Sequence, residues 1–371
     1  MQNGKYHNSM NKSLPITVLG IMSGTSLDGT DLCACRFSEL NQQWSFEIVA
    51  AKTVAYSPEW GNTLKGVMHL SGYDLAFTHA ALGKYFGTIA AEFIAEKNLH
   101  IDLIGSHGHT VFHQPQHGFT CQIGDGAQIA ALTGIDTVCD FRSKDVALGG
   151  QGAPLVPLGD KFLFKEYAGC LNLGGIANIS YEEKGNRKGF DICPANMILN
   201  LLANTQGNAY DDSGIMAASG KIIPELLERL NTLNFYAIAG PKSLGREWLE
   251  EEFLPAMQLP KKDVSYTKAA DFAHTATEHI AIKCAESFIK IKEEGSILAT
   301  GGGAFNTYLI SRITALSGRN ITVPKADIIN YKEALVFGFL AVLYQNNSVN
   351  VFNSATGSLR NNIGGALHKA G

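Results

Sequence analysis

Apolar positions fall in short runs separated by glycine-rich turns near the start of the chain, and at helical spacing further on. Residues 16–19 (ITVL) are a β-branched apolar run that reads as a buried strand. The run breaks into Gly20-Ile21-Met22-Ser23-Gly24-Thr25-Ser26-Leu27-Asp28-Gly29, and alternation resumes through Asp31-Leu32-Cys33-Ala34-Cys35-Arg36-Phe37. The expected opening is strand, polar hairpin, strand. Residues 46–50 and 53–56 read as two more strands closing at Pro58, which makes about five short strands in an antiparallel or mixed sheet. Ser71 and Asp74 then form an S-x-x-D capping box. Leu75, His79, Leu82, Phe86, Ile89 and Phe93 recur every turn, which predicts a helix fading by Asn98 with His79 in its core face. Residues 101–105 predict a short strand ending in a polar loop, SHGHTVFH (106–113).

Residues 148–157 (LGGQGAPLVP) predict a connector between domains. Beyond it, residues 169–180 (GCLNLGGIANIS) repeat the opening form: apolar strand, small-residue turn, alternation. One such hairpin in each half predicts duplicated domains. Asp191 follows an aromatic at an expected strand end, with a helix beginning after Pro194. Residues 222–230 read as a helix, and 244–248 as a loop-to-helix junction with a charged tip. A long amphipathic helix is expected over 267–292, its buried stripe marked by Phe272, Ala276, Ile280, Cys284 and Phe288. The strand 296–300 runs into Gly301-Gly302-Gly303, a triplet costly in folding entropy, so something must approach its backbone closely. Either a nucleotide or a tight strand–helix crossing meets that requirement. Residues 331–344 predict a last helix, with Glu333 at its start and Gly338 allowing close packing, while 349–371 show no strong pattern.

Composition adds bounds. With 371 residues the chain is long enough for two or more domains. A hydrophobic content of 45%, charged content of 17% and net charge of −4 give no nucleic-acid signature. Seven scattered cysteines without a C-x-x-C point to a reduced, intracellular protein with a cytoplasmic location. No apolar stretch is long enough for a membrane span. Residues 1–13 read as a disordered leader.

Candidate chemistry gathers at the turns. Glycines and hydroxyls at 24–31 suit phosphate oxygens, and Asp28 could hold Mg²⁺ through water. His107, His109 and His113 lack the carboxylate helix of a zinc protease and suit a ligand loop at a strand end better than a metal site. Arg142, after a strand, could fork onto a carboxylate or phosphate, or pair inertly with Asp140 or Asp145. Asp191 suits a general base or a helix cap.

Taken together these stretches resemble the actin / sugar kinase / Hsp70 ATPase superfamily, which implies an α/β fold of two duplicated actin-like ATPase (ribonuclease H-like) domains around an ATP cleft. More closely, MSGTSLDG (22–29), GSHGHT (105–110), QIGDG (122–126), DFRSKDVALGGQGAPLVP (140–157) and LNLGGIAN (171–178) resemble anhydro-N-acetylmuramic acid kinase. The resemblance implies ATP-dependent phosphorylation of 1,6-anhydro-N-acetylmuramic acid with hydrolytic opening of the anhydro bridge, in peptidoglycan recycling. It implies a small amino-sugar substrate, ATP and Mg²⁺, and a homodimer. Carried over residue by residue, Asp191 would be the catalytic base. Gly24, Thr25, Ser26, Leu27, Asp28, Gly29, Thr30, Asp31, Gly174, Gly175, Gly301, Gly302 and Gly303 would bind the nucleotide, with Asp28 on the metal. His109, Arg142 and Glu333 would contact the sugar. The expected domains are 1–145 with 345–371, carrying the phosphate loop and substrate site, and 146–344, binding the nucleotide. The family pattern D-T-G-P-G-N reads Asp191-Ile192-Cys193-Pro194-Ala195-Asn196 here, and His109 replaces a usual Gln. Those departures leave room for a kinase of another sugar, or an inactive ATP-binding regulator.

Overall fold

The computed structural model describes residues 15–24, 27–238, 242, 244–245, 248–259 and 264–371. The expected leader, the turn residues Thr25 and Ser26, and the charged tip at Arg246 and Glu247 lie outside the described residues. The chain forms two compact units, residues 1–163 with 331–371, and residues 164–330.

In the first unit, β1 (Ile16–Ser23), β2 (Gly29–Leu40) and β3 (Gln43–Ala55) form an antiparallel meander. Helix α1 (Gly72–Glu96) follows, then β4 (Leu103–Ser106), the hairpin β5 (His109–Gln114) and β6 (Phe119–Ile123), helix α2 (Gly126–Thr133) and β7 (Thr137–Cys139). Helices α3 (Ser143–Ala147) and α4 (Val156–Leu163) close this part of the chain. The second unit holds β8 (Gly169–Leu173), β9 (Ile176–Glu183), β10 (Asn186–Pro194), α5 (Asn196–Asn204), α6 (Tyr266–Phe288), β11 (Ile297–Thr300), α7 (Thr307–Ser317) and β12 (Ile321–Thr322). Helix α8 (Ala326–Gln345) carries the chain back to the first unit, where β13 (Ala366–His368) ends it.

Strand order repeats. The first sheet runs β3-β2-β1-β4-β7-β13 and the second β10-β9-β8-β11-β12. In each, three antiparallel strands are followed by two parallel to the first, β4 and β7 in one and β11 and β12 in the other. This duplication is the one the hairpin echo predicts, and it is the two-domain actin-like ATPase architecture that the resemblance implies.

Local chemistry explains the elements. β1 is central in its sheet and buried along most of its length, as a strand covered on both faces should be. β3 lies at the edge and alternates half-buried with exposed. The expected five short strands are three long ones: β3 runs unbroken through both segments expected at 46–50 and 53–56, with a bulge in its pairing to β2 at Ala34/Cys35. Ser71 caps α1 by accepting the Asp74 N–H, and its hydroxyl donates to the Asp74 carboxylate at 2.6 Å. Leu82, Phe86, Ile89 and Phe93 are buried as predicted, but His79 is only half-buried, and its Nδ1 accepts the Gly124 N–H. The polar loop at 106–113 is mostly strand β5, whose pairing with β6 the sequence pattern did not reveal.

The Gly/Pro stretch 148–157 does not link the units. Buried Asp145 accepts hydrogen bonds from the Gly152 N–H, the Thr356 hydroxyl and the Asn362 amide, each at 2.9 Å, so stretch and C-terminal tail are tied together inside the first unit. The expected boundaries at 145/146 and 344/345 both fall within that unit. The tail without pattern is therefore structural, with Asn350 binding the Leu340 and Gly364 backbone. Among the described residues no helix is long and apolar enough to cross a membrane. All seven cysteines are free, and the Cys33 and Cys35 sulfurs lie 3.4 Å apart on one buried face of β2.

Helix α8 lies with its backbone against β1 and β4. A Cβ at Gly20 would land on the Ala334 carbonyl, and one at Gly105 would reach the Phe337 carbonyl. Gly338 faces Gly20 from the helix. We expect Gly20→Ala to destabilise the first unit by about 1–3 kcal/mol through overpacking, read as a lowered denaturant midpoint, whereas Gly61→Ala, where the backbone is helical and a Cβ meets nothing, should stay within about 1 kcal/mol.

Candidate active site

The candidate residues assemble into a cluster within each unit. In the first, the turn between β1 and β2 is closed by a Leu27 N–H bond to the Gly24 carbonyl at 3.4 Å, with Leu27 left-handed at φ 60°. Ser23 and Thr30 face each other across the strand pair that flanks this turn. Both are buried, and one phenol joins them: Thr30 donates to the Tyr56 hydroxyl at 3.0 Å, and that hydroxyl lies 2.6 Å from Ser23 Oγ. Ser23 Oγ in turn lies 2.9 Å from His109 Nδ1. One proton order gives every hydroxyl a single bond to donate: Thr30 to Tyr56, Tyr56 to Ser23, Ser23 to a neutral His109. Burial lowers the His109 pKa, which keeps that ring an acceptor, and burial raises that of Tyr56 against its two hydroxyl partners. Tyr56 stacks on Tyr85 with ring centroids 5.8 Å apart.

Charged groups of the same unit surround this network. Arg142 donates through Nε to His107 Nε2 at 2.9 Å and through a terminal nitrogen to the Gly152 carbonyl at 2.6 Å. Neither Asp140 nor Asp145 is its partner. Asp140 accepts from Ser143, and Asp145 takes the contacts given above. Burial pulls the guanidinium pKa down to about 10, opposed by Glu333, so Arg142 remains a cation at neutral pH. Glu333 keeps part of its surface open to solvent, but crowding by protein raises its pKa, with Arg142 pulling the other way and Asp31 adding to the rise. Asp31 is also raised, first by burial, while its Oδ1 accepts the Thr53 hydroxyl at 2.6 Å. Asp28 is exposed at the turn. His107 is neutral, its pKa driven well down by burial and by Arg142. Its Nδ1 lies 2.9 Å from the Gly108 carbonyl, so both ring nitrogens are engaged within the protein. One cation, two carboxylates with raised pKa and a row of hydroxyls form a surface suited to a polyhydroxyl or phosphate-bearing ligand.

In the second unit, Asp191 sits in β10 at a bulge between Asp191 and Cys193. Its N–H donates to the Lys242 carbonyl at 2.9 Å, and its Oδ2 accepts the Leu244 N–H at 2.8 Å. It caps no helix; the residue preceding α5 is Ala195, without a side-chain cap. Burial raises the Asp191 pKa, and the Leu244 N–H opposes that rise. A half-buried carboxylate with one oxygen held by backbone has the character of a general base.

The glycines divide by cause. The Gly174 carbonyl accepts the Asn196 N–H, and the Gly175 carbonyl accepts those of Ala195 and Met197, so the β8–β9 turn caps α5. Gly301, at φ 79°, and Gly303 lie against Leu173, Asn172 and Asn196, where any Cβ would clash. Packing within the protein therefore accounts for Gly301 and Gly303 without a ligand, the tight crossing that the triplet also allowed. Gly302 is open, with only the Asn196 amide near its Cβ position. Tyr56 and the backbone groups of Lys242 and Leu244 were not selected from the sequence, whereas Ser23 and His107 lie in the MSGTSLDG and GSHGHT stretches.

A family model described as anhydro-N-acetylmuramic acid kinase matches residues 16–370. The chain is 36% identical to the anhydro-N-acetylmuramic acid kinase of Shewanella oneidensis, over 97% of this chain and 100% of that protein. It is 37% identical to that of Xylella fastidiosa, over 95% and 96% respectively. Likeness to solved structures is remote, as with the activator of the 2-hydroxyisocaproyl-CoA dehydratase from Clostridium difficile (14% identity, 91% of this chain and 99% of that one, TM-score 0.40); the repeated sheet order, not that likeness, defines the fold.

Tyr56→Phe removes the hydroxyl that joins the two ends of the 24–29 turn. It should destabilise the first unit by about 1–3 kcal/mol, since buried Thr30 loses its acceptor, and chemical denaturation measures this directly.

Proposed function

This chain belongs to the anhydro-N-acetylmuramic acid kinase family, and from that premise we propose that it phosphorylates 1,6-anhydro-N-acetylmuramic acid at O6 with ATP while water opens the anhydro bridge. The product is N-acetylmuramic acid 6-phosphate, the form in which the sugar re-enters peptidoglycan recycling.

The observation that carries this reading is Asp191, with a raised pKa and one oxygen fixed by the Leu244 N–H. Its other oxygen takes a proton from the attacking water. The water oxygen bonds to the anomeric carbon, the bond from that carbon to O6 breaks, and O6 takes the γ-phosphoryl group as ADP departs. Atoms balance, with the water proton on the carboxylate. A positioned base contributes roughly 10²–10⁴-fold in such a step. Arg142, fixed by His107 and the Gly152 carbonyl, and Glu333 beside it would hold the sugar's hydroxyl and carboxylate groups. His109 would reach the sugar from the same unit, its Nδ1 already bound to Ser23.

For the nucleotide, the turn closed at Gly24 and Leu27 and the open Gly302 are the backbone positions that fit phosphate and adenosine contacts. Among the described residues no group of three or more acidic, His or Cys side chains could cage a metal ion. The exposed Asp28 and nearby Asp31 suit a hydrated Mg²⁺ carried with the phosphates. Such an ion supplies charge neutralisation to phosphoryl transfer.

The departures at 192, 193 and 195 give no reason to prefer another sugar. Ile192, Cys193 and Ala195 are all buried in the core of the second unit and present no side chain to a ligand.

ADP release should be strong with anhydro-N-acetylmuramic acid and near background with a panel of plain hexoses; equal rates would select the other-sugar reading, and ATP binding without turnover an inactive regulator. Asp191→Asn should bind ATP normally and lose at least ~10²-fold in kcat. The wild-type rate should fall on acidification as Asp191 takes up a proton, with the acid limb above the ordinary aspartate value of 3.8. The sign follows from the role: only the ionised carboxylate is a base, and a raised pKa moves its loss to higher pH.

A further inference from the structure

We infer that Lys242 is a positioning residue for the Asp191 base, because its side chain anchors the short backbone segment that brackets that carboxylate on both sides. The inference rests on the reading of Asp191 as base. Lys242 gives its carbonyl to the Asp191 N–H at 2.9 Å, and two residues on, the Leu244 N–H reaches Asp191 Oδ2 at 2.8 Å. Its own ammonium donates to the Phe235 carbonyl at 2.9 Å. The same ammonium lies 4.2 Å from the Phe235 ring centroid and 5.7 Å from that of Tyr236, within range of cation–π attraction.

That platform is itself fixed. The Tyr236 hydroxyl lies 2.9 Å from His279 Nε2, and His279 Nδ1 lies 2.7 Å from the Asn231 amide oxygen. His279 is fully buried on α6, its pKa pushed down to about 3 chiefly by burial, so it stays neutral. Trp248 packs on Phe235 at 5.2 Å. A continuous chain of contacts therefore runs from the core helix α6 through Tyr236, Phe235 and Lys242 to the N–H that holds the base. Lys283, Lys290, Glu286 and Cys193 are the other titratable groups facing Lys242. Of those, Lys283 has its own partners, Glu286 at 3.0 Å and the Tyr236 ring at 4.7 Å, and Lys290 sits over Phe190. None of them replaces the Lys242 anchor on Phe235.

The Leu244 N–H stabilises the ionised carboxylate. Loosening it removes that bond from one oxygen and leaves burial to act unopposed, so the base becomes harder to ionise and less well aimed. The test is steady-state kinetics against pH on the full chain with Lys242→Met, Lys242→Gln and Lys242→Arg, melting temperatures confirming that each is folded. For Met and Gln we expect kcat to fall about tenfold, KM for ATP and sugar to hold within about threefold, and the acid limb to move up by about 0.5–1 pH unit. Arg, which keeps both the donor and the charge over Phe235, should restore most of the rate and the limb. Folded Met and Gln variants with an unmoved limb and wild-type kcat overturn the inference, and so does a kcat loss with an unmoved limb that Arg does not rescue. Asp191→Asn measured alongside separates the two readings: if it stays active, the base assignment itself has failed.

Discussion

A helix can press its backbone carbonyls onto a sheet only where the sheet carries no side chain. In the first unit that constraint is met at Gly20 on β1 and Gly105 on β4, opposite Ala334 and Phe337 of α8. The approach fixes helix rotation and height together, because a carbonyl seated over a strand leaves little room to slide. Everything α8 contributes to the first unit's polar cluster follows. Lys332 is directed inward to Asp160, a buried ion pair at 2.7 Å, and the next residue, Glu333, faces Arg142 and Asp31. Phe337, a turn further on, packs its ring 4.5 Å from that of His107, the ring that holds Arg142. Two missing methyl groups thus set the placement of Glu333 and of the ring that packs on the imidazole holding Arg142.

The second unit reaches a comparable end by other means. Its catalytic candidate is held by backbone: β10 pairs with β9 as far as Asp191, a bulge at Ile192 follows, and a neighbouring segment supplies one N–H and one carbonyl. Backbone donors suit a base because they stabilise its charged form without adding a competing proton. Burial opposes them and keeps the pKa raised, so the carboxylate is more basic than a free one. The glycines nearby serve assembly first. Gly174 and Gly175 close the end of α5, while Gly301 and Gly303 allow β11 to turn beneath Leu173.

Much of this was legible in the sequence where chemistry is local. The Ser71–Asp74 cap, the buried stripe of α6 and the repeated hairpins each depend on residues within a few turns of one another, and each formed as read. Motifs could also be placed on Asp191 and Arg142 by resemblance. What resisted reading was long-range. Asp145 binds Thr356 and Asn362 more than 200 positions away, so neither the Gly/Pro stretch nor the tail could show in its own composition that the two are joined. Tyr56 looked like the end of a strand, and only the fold brings its hydroxyl to Ser23 and Thr30. The glycine triplet is ambiguous for a related reason. Entropy demands a close neighbour there, and the sequence cannot say whether that neighbour is a ligand or the chain itself.

The altered residues beside Asp191 sharpen the point. Replacing two glycines and a threonine next to a base would ordinarily suggest changed chemistry. Here Cys193 and Ala195 have no exposed surface and Ile192 almost none, so all three substitutions add hydrocarbon to the core on which the bulge rests. Side chains in place of glycine also narrow the conformations open to the unfolded segment, which favours the folded bulge wherever the backbone angles allow them. The residues that retain the family pattern, Asp191, Pro194 and Asn196, divide the remaining work. Asp191 bears the charge, Pro194 ends the strand, and Asn196 ties α5 to the Leu173 carbonyl at 3.0 Å, beside the same glycine bend.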